Sequence, residues 1–244
     1  TLPLIMFPTL VTNSLATALV PAISEAVARK SYRMLNERIS KSVQGTVILG
    51  MIFTAMLLSY HEQIGKLVYP REKVDDILYT LSFSCVFMFL HQTLNGIMNG
   101  LGKQGALLRN TVIGSVLRIG IIYFLMPACG VDVYAWCLAG SFALISLVDL
   151  LTIHRITGLV IDFRNWFLKP GLVVAVMVLT GRYIYYFFDI FRMGESITTI
   201  LALAAYGVIS LVLMIIFGVL NFSDILDMFG IKNIKPARKT KHKL

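Results

Sequence analysis

Seven stretches of this chain are each apolar for about the length of a bilayer crossing, with short polar connections between them. They cover residues 2–27, 43–59, 77–99, 107–126, 133–153, 171–188 and 197–220. A helix rises about 1.5 Å per residue, so ~20 residues cross the ~30 Å hydrocarbon core. In hydrocarbon every backbone amide and carbonyl needs a partner within its own segment or in a closed barrel. No stretch alternates with the period of a barrel strand, which leaves helix. The expected fold class is all-α transmembrane. Composition agrees: 57% of the 244 residues are hydrophobic and 14% are charged, more apolar surface than a soluble domain of this size can bury.

The net charge of +9 would raise nucleic acid as a partner for a soluble chain. Here it falls mainly on alternate connections, as the positive-inside rule requires, so no nucleic-acid partner is expected. Arg29, Lys30, Arg33, Arg38 and Lys41 follow the first segment, Lys103 and Arg109 the third, and Arg155, Arg164 and Lys169 the fifth. Lys232, Lys235, Arg238, Lys239, Lys241 and Lys243 follow the seventh. The opposite side holds fewer: Lys66, Arg71, Lys73, Arg182 and Arg192. This asymmetry places the C-terminus in the cytoplasm of a multi-pass cell-membrane protein and, with an odd number of spans, places Thr1 outside. The odd count and the absence of an initial Met predict the C-terminal half of a longer protein. The first segment lacks a basic flank and is too long for a signal peptide core.

Residues 1–220 are expected to form the transmembrane bundle, and 221–244 a cytoplasmic interfacial helix and basic tail. Ser223 can cap such a helix and Gly230 end it. The tail lysines either meet anionic headgroups or are simply solvated. Trp136 and Trp166 fall near expected interfaces, as belt residues do. Cys85, Cys129 and Cys137 lack metal-ligand spacing and read as packing residues.

Polar groups inside the spans carry the functional signal, because burying them in lipid is costly. Gln92, Asn95 and Asn99 recur at spacings of three and four, on one side of a helix, flanked by His91. They form either a cavity wall that hydrogen-bonds sugar hydroxyls or phosphate, or an interhelical lock. Gly96 and Gly100 make a G-x-x-x-G on an adjoining face, suited to close helix contact. In the first segment Thr9, Asn13 and Thr17 share a face, and Pro3, Pro8 and Pro21 kink the helix. Arg118 lies in the body of the fourth segment and either meets an anion in a cavity or snorkels to the interface. Arg182, followed by Tyr183, Tyr185 and Tyr186, is expected to snorkel. Asp149 is expected to pair locally with His154 or Arg155 at the cytoplasmic end, with proton coupling as the other reading.

No H-E-x-x-H, P-loop or G-x-S-x-G is present, and no carboxylate cluster has metal spacing. No catalytic residue, metal site or cofactor is expected, and the chain reads as a carrier, not an enzyme.

The run Leu19-Val20-Pro21-Ala22-Ile23-Ser24, closing a span before a basic connection, resembles the L-P-x-[IL]-S motif of the MOP (MATE-like) flippase superfamily. Asn95-Gly96-Ile97-Met98-Asn99-Gly100-Leu101-Gly102-Lys103 is similar to the GxLxGLGK ending of a later helix in its polysaccharide biosynthesis and export branch. Tyr123-Phe124-Leu125-Met126-Pro127 with Gly130 and Val131 resembles a following outer loop there. The resemblance implies a two-lobe transporter. This chain would supply the last seven of fourteen helices, and an N-terminal lobe of the same protein would be the partner. It implies a flippase for a lipid-linked oligosaccharide or peptidoglycan precursor in the cell envelope, working by alternating access, with membrane lipids around it. Asn13, Gln92, Asn95, Asn99 and Arg118 become the substrate-cavity candidates, and the last two segments a groove for a lipid tail. Two other readings stay open. A multidrug antiporter of the same superfamily predicts a deeply placed acid. A membrane-embedded envelope glycosyl or acyl transferase predicts a His–carboxylate pair, for which the connection with His61, Glu62, Glu72, Asp75 and Asp76 is the candidate.

Overall fold

A computed structural model describes residues 9–69, 74–130, 132–160, 162–190 and 194–218. It contains seven long α-helices and, among the described residues, no strand. They are α1 (Thr9–Ala28), α2 (Tyr32–Val68), α3 (Asp75–Gly100), α4 (Gln104–Cys129), α5 (Asp132–Thr157), α6 (Lys169–Asp189) and α7 (Glu195–Ile216). The all-α transmembrane class is as the sequence predicts, and α2 to α7 are each long and apolar enough to cross a membrane. The tail from 219 onward, with Ser223, Gly230 and the terminal lysines, lies outside the described residues, as do Pro3 and Pro8.

The central element is α3, which packs against α1, α2 and α5. The α4 helix packs mainly on α5, and the α6–α7 pair packs on α2. Small residues set the closest contacts. A Cβ on Gly96 would lie 2.5 Å from the Ala16 carbonyl oxygen, and one on Gly100 2.7 Å from Ile23 Cβ. The G-x-x-x-G of α3 therefore brings the α1 backbone against it, as small residues do between helices in lipid. Ser24 Oγ closes the same contact by donating to the Gly100 carbonyl at 3.0 Å. Between α2 and α3 the hydroxyls of Thr46 and Thr93 pair at 2.7 Å, out of water.

Two features differ from the sequence expectation. The basic residues Arg33, Arg38 and Lys41 sit on the first turns of α2, not in a loop, so this helix is 37 residues long. Arg38 turns back onto α1, donating to the Ala22 carbonyl and pairing with Glu25 at 3.2 Å. Lys and Arg are good helix formers, and hydropathy alone cannot see a helix continuing past the lipid boundary. Trp166 is not a belt residue. It is 1% exposed and packs with Ile39, Ile153 and Leu159, whereas Trp136 is 56% exposed as a belt residue would be.

The α2 helix bends at Tyr60, whose φ of −127° is not helical. At the bend the Tyr60 hydroxyl donates to the Gly181 carbonyl of α6 at 2.8 Å, and its ring meets Tyr206 of α7 edge-on at 5.2 Å. A Cβ on Gly181 would lie 2.7 Å from Ser59 Cβ, so glycine there lets α6 sit in the elbow. Apolar side chains on α4 stay exposed, including Val116, Ile119, Tyr123 and Phe124. Lipid tails would solvate such a face without cost.

Candidate functional site

The polar stripe of α3 divides between two neighbours. Gln92 Nε2 donates to Asn13 Oδ1 of α1 at 2.7 Å, on an exposed edge. Thr17 shares that edge, but its hydroxyl is used within α1, by the Asn13 carbonyl at 2.6 Å. The side chain of Thr9 lies outside the described residues. Asn99, two turns along from Gln92, is half-buried. These groups form an amide-rich strip that can donate to and accept from hydroxyls or phosphate oxygens.

The other half of the stripe turns inward. Asn95 Nδ2 lies 3.4 Å from His91 Nε2. His91 Nδ1 lies 3.4 Å from Asp149 Oδ2 on α5. Asp149 is fully buried and its Oδ1 accepts from Asn110 Nδ2 of α4 at 2.8 Å. Thr152 Oγ1 lies 3.4 Å from the same amide and donates to the Val148 carbonyl at 2.7 Å. This corrects the local pairing expected of Asp149. His154 instead meets the Leu159 carbonyl and Arg155 is exposed, while Asp149 points into the α3–α4–α5 junction. Its register decides the matter. Asp149 falls on the same side of α5 as Phe142, Ile145 and Thr152, and that side packs on α3 and α4.

Arg118 joins the same junction from α4. Its guanidinium carbon sits 5.8 Å from the centre of the Phe142 ring, whose centre is also 5.8 Å from that of His91. Cation–π contact offsets part of the cost of holding a guanidinium in an apolar place. Arg118 also lines a cavity of about 430 Å³ between α4 and α5, otherwise walled by Leu117, Ile121, Leu125, Trp136 and Leu144 among others. Among the described residues no carboxylate pairs with it. A cation on an apolar wall suits an amphiphile with an anionic group.

A second cavity, of about 470 Å³, opens at the end of the bundle where α2 ends and α3 begins, lined by Tyr60, His61, Glu62, Tyr79, Arg182 and Tyr185 among others. His61 Nε2 is 4.0 Å from Glu62, itself half-exposed, and its Nδ1 is 3.1 Å from the Leu58 carbonyl. Glu72 lies outside the described residues.

The MatE family model matches residues 1–124, from α1 through most of α4. The chain belongs to the MatE family. It is 21% identical to Stage V sporulation protein B of Bacillus subtilis (strain 168) over 224 residues, 91% of this chain and 43% of that protein. It is 23% identical to the uncharacterized membrane protein YabM of the same organism, over 84% of this chain and 39% of that protein. The chain thus spans less than half the length of these two relatives. No solved structure matches it. Family membership and the six membrane-length helices together make it a multi-pass membrane protein.

The family match covers the amide strip, the His91–Asn95 pair, Asn110 and Arg118, and leaves Asp149 beyond its end. Of the five candidate residues, Asn13 and Gln92 are brought into contact, Asn95 joins His91, and Arg118 reaches the same junction. Asn110 and Phe142 were not singled out by sequence. The usable signal for Asn110 was an amide inside an apolar span of a helix that also carries Arg118. Phe142 gave none, since one aromatic in an apolar helix looks like any other.

Proposed function

We propose that this MatE-family protein moves a lipid-linked oligosaccharide or peptidoglycan precursor across the cytoplasmic membrane. The observation that carries the reading is Arg118, set in the wall of a cavity whose lining is otherwise apolar but for Ser141. A lipid-linked saccharide is apolar at one end and anionic at its phosphate, and such a wall matches both. The amide strip of Asn13, Gln92 and Asn99 would take the hydroxyls of the sugar. The exposed apolar faces of α6 and α7, with Leu172, Leu179, Val208 and Val212, would follow the lipid tail. The cargo would be exposed alternately to the two faces by rocking of this bundle against an N-terminal lobe. A cytoplasmic C-terminus is part of the proposal, supported by the excess of basic residues on alternate connections.

One finding favours a second reading, a multidrug or cation antiporter of the same superfamily. That reading needs an acid enclosed among the spans, and Asp149 is fully buried between helices. Photo-crosslinking separates the two. A photoreactive lipid-linked saccharide should label peptides of α4 and α5 around Arg118 in native membranes, and unlabelled lipid should compete while a lipophilic cationic dye should not. Competition by the dye alone would favour the antiporter.

A further inference from the structure

We propose that His91 and Asp149 form a proton-binding site that joins α3 to α5, with Asn95 as its positioning residue. The proposal rests on the buried pair alone and holds whichever cargo is moved.

Asp149 is wholly enclosed, and an isolated carboxylate in a low-dielectric place costs several kcal/mol or more. The Asn110 amide satisfies only Oδ1. Among the described residues Oδ2 has no hydrogen-bond partner, and neither has His91 Nδ1, 3.4 Å away. The two unsatisfied atoms face each other across the gap between helices. One proton on the imidazole makes the pair an imidazolium–carboxylate of zero net charge, and closing that gap by a few tenths of an ångström makes a charge-assisted hydrogen bond. Loss of that proton to water leaves a neutral imidazole beside a buried carboxylate.

Asn95 is built to follow the exchange. As placed, its Nδ2 approaches His91 Nε2 and its Oδ1 is the remaining unpartnered buried atom of this junction. With neutral His91 protonated on Nδ1, Nε2 accepts from the Asn95 amide. With the imidazolium, Nε2 carries hydrogen, and a turn of the Asn95 amide brings Oδ1 to accept from it. The same side chain serves both charge states, because an amide offers a donor and an acceptor at nearly the same reach.

The surroundings limit what else can supply charge. On α1 no titratable residue precedes Glu25, and on α2 none lies between Lys41 and Tyr60. On α3 the other titratable groups are Asp75 and Asp76 in the first turn, Tyr79 and Cys85. On α4 only Arg118 lies between Arg109 and Tyr123, and it sits across the Phe142 ring. On α5, Cys137 lies further along, and His154 is taken by the Leu159 carbonyl. The charge of the pair is therefore set by its own proton, in the field of Arg118.

The test uses the full-length gene product in lipid nanodiscs, with labelled histidine nitrogens and labelled aspartate carboxyls read by solid-state NMR over a pH titration. His91 and Asp149 signals are assigned by His91→Gln and Asp149→Asn. The expected result is one step in which both signals move together, as coupled groups do. In Asp149→Asn, which keeps an acceptor for Asn110, the His91 step should shift by about tenfold or more in free-proton concentration. Asn95→Ala should also shift the step, with both partners still in place. Independent steps for the two groups in the wild-type protein, which needs no variant to fold, would overturn the proposal. So would movement of the two signals with added sodium at fixed pH, which would make the pair a metal-cation site instead.

Discussion

Replacing Gly96 by alanine should pry α1 off α3. The new Cβ would lie 2.5 Å from the Ala16 carbonyl oxygen and 2.9 Å from the Ala16 carbonyl carbon and Cα. All three are backbone atoms, so no side chain can swing aside. Ordinary contact begins at 3.4 Å, so α1 must withdraw by about 0.9 Å. A rigid withdrawal would stretch the 2.7 Å bond between Gln92 and Asn13 past hydrogen-bond range. Overpacking of this kind costs about 1–3 kcal/mol, and the lost bond adds about 1 kcal/mol. Gly120 is the matched control: it lies in α4 with open space around its Cβ position, and alanine there gains up to about 1 kcal/mol of helix propensity. Thermal unfolding in one detergent at one scan rate compares the two, since melting of such proteins is kinetic. Gly96→Ala should melt well below the parent and Gly120→Ala at or above it. Equal melting of the two variants would refute the close α1–α3 contact.

Other expectations follow from the same packing. Trp166→Ala should cost about 3–5 kcal/mol, because the indole is buried among Ile39, Ile153 and Leu159, while Trp136→Ala on the exposed face should cost far less. Denaturation in mixed micelles checks the pair. Asp162 lies in the connection before α6, where the side-chain amide and the backbone N–H of Asn165 hold its carboxyl below the usual carboxylate range. A lowered value in the folded state means the contact stabilises above the ordinary carboxylate pKa and is lost as pH falls through the lowered one. Hydrogen-exchange protection of the Asn165 and Trp166 amides should therefore persist below about pH 4 and then fall, and Asp162→Asn should remove that pH step.

The helices were legible because lipid demands them: seven apolar stretches of bilayer length leave the backbone one way to pair. The Gly96–Gly100 contact was legible too, since small residues at that spacing serve close approach. Helix ends were not. The α2 helix runs on through Arg33, Arg38 and Lys41, good helix formers, and Arg38 meets Glu25 and the Ala22 carbonyl of α1, contacts invisible to hydropathy. The same holds for Trp166, whose burial depends on α2 and α5 meeting at the connection before α6. At the junction, sequence marked Asn95 and Arg118 individually but could not show that Asp149 faces His91 across helices 58 residues apart in chain numbering. Proximity to His154 and Arg155 in sequence suggested a local ion pair, and the rotation of α5 against α3 decided otherwise.

The most direct measurement of the central claim is leaflet exchange by the full-length gene product in liposomes loaded with a fluorescent lipid-linked saccharide. Quenching from outside reports the fraction of labelled headgroups that has crossed. Crossing well above that of protein-free liposomes is expected. A loss of about tenfold or more is expected in Arg118→Ala, as when a hydrogen bond to a charged group worth about 1.5–3 kcal/mol is removed, with partial retention in Arg118→Lys. Labelled lipid that never changes leaflet, or crossing that Arg118→Ala leaves untouched, would contradict it.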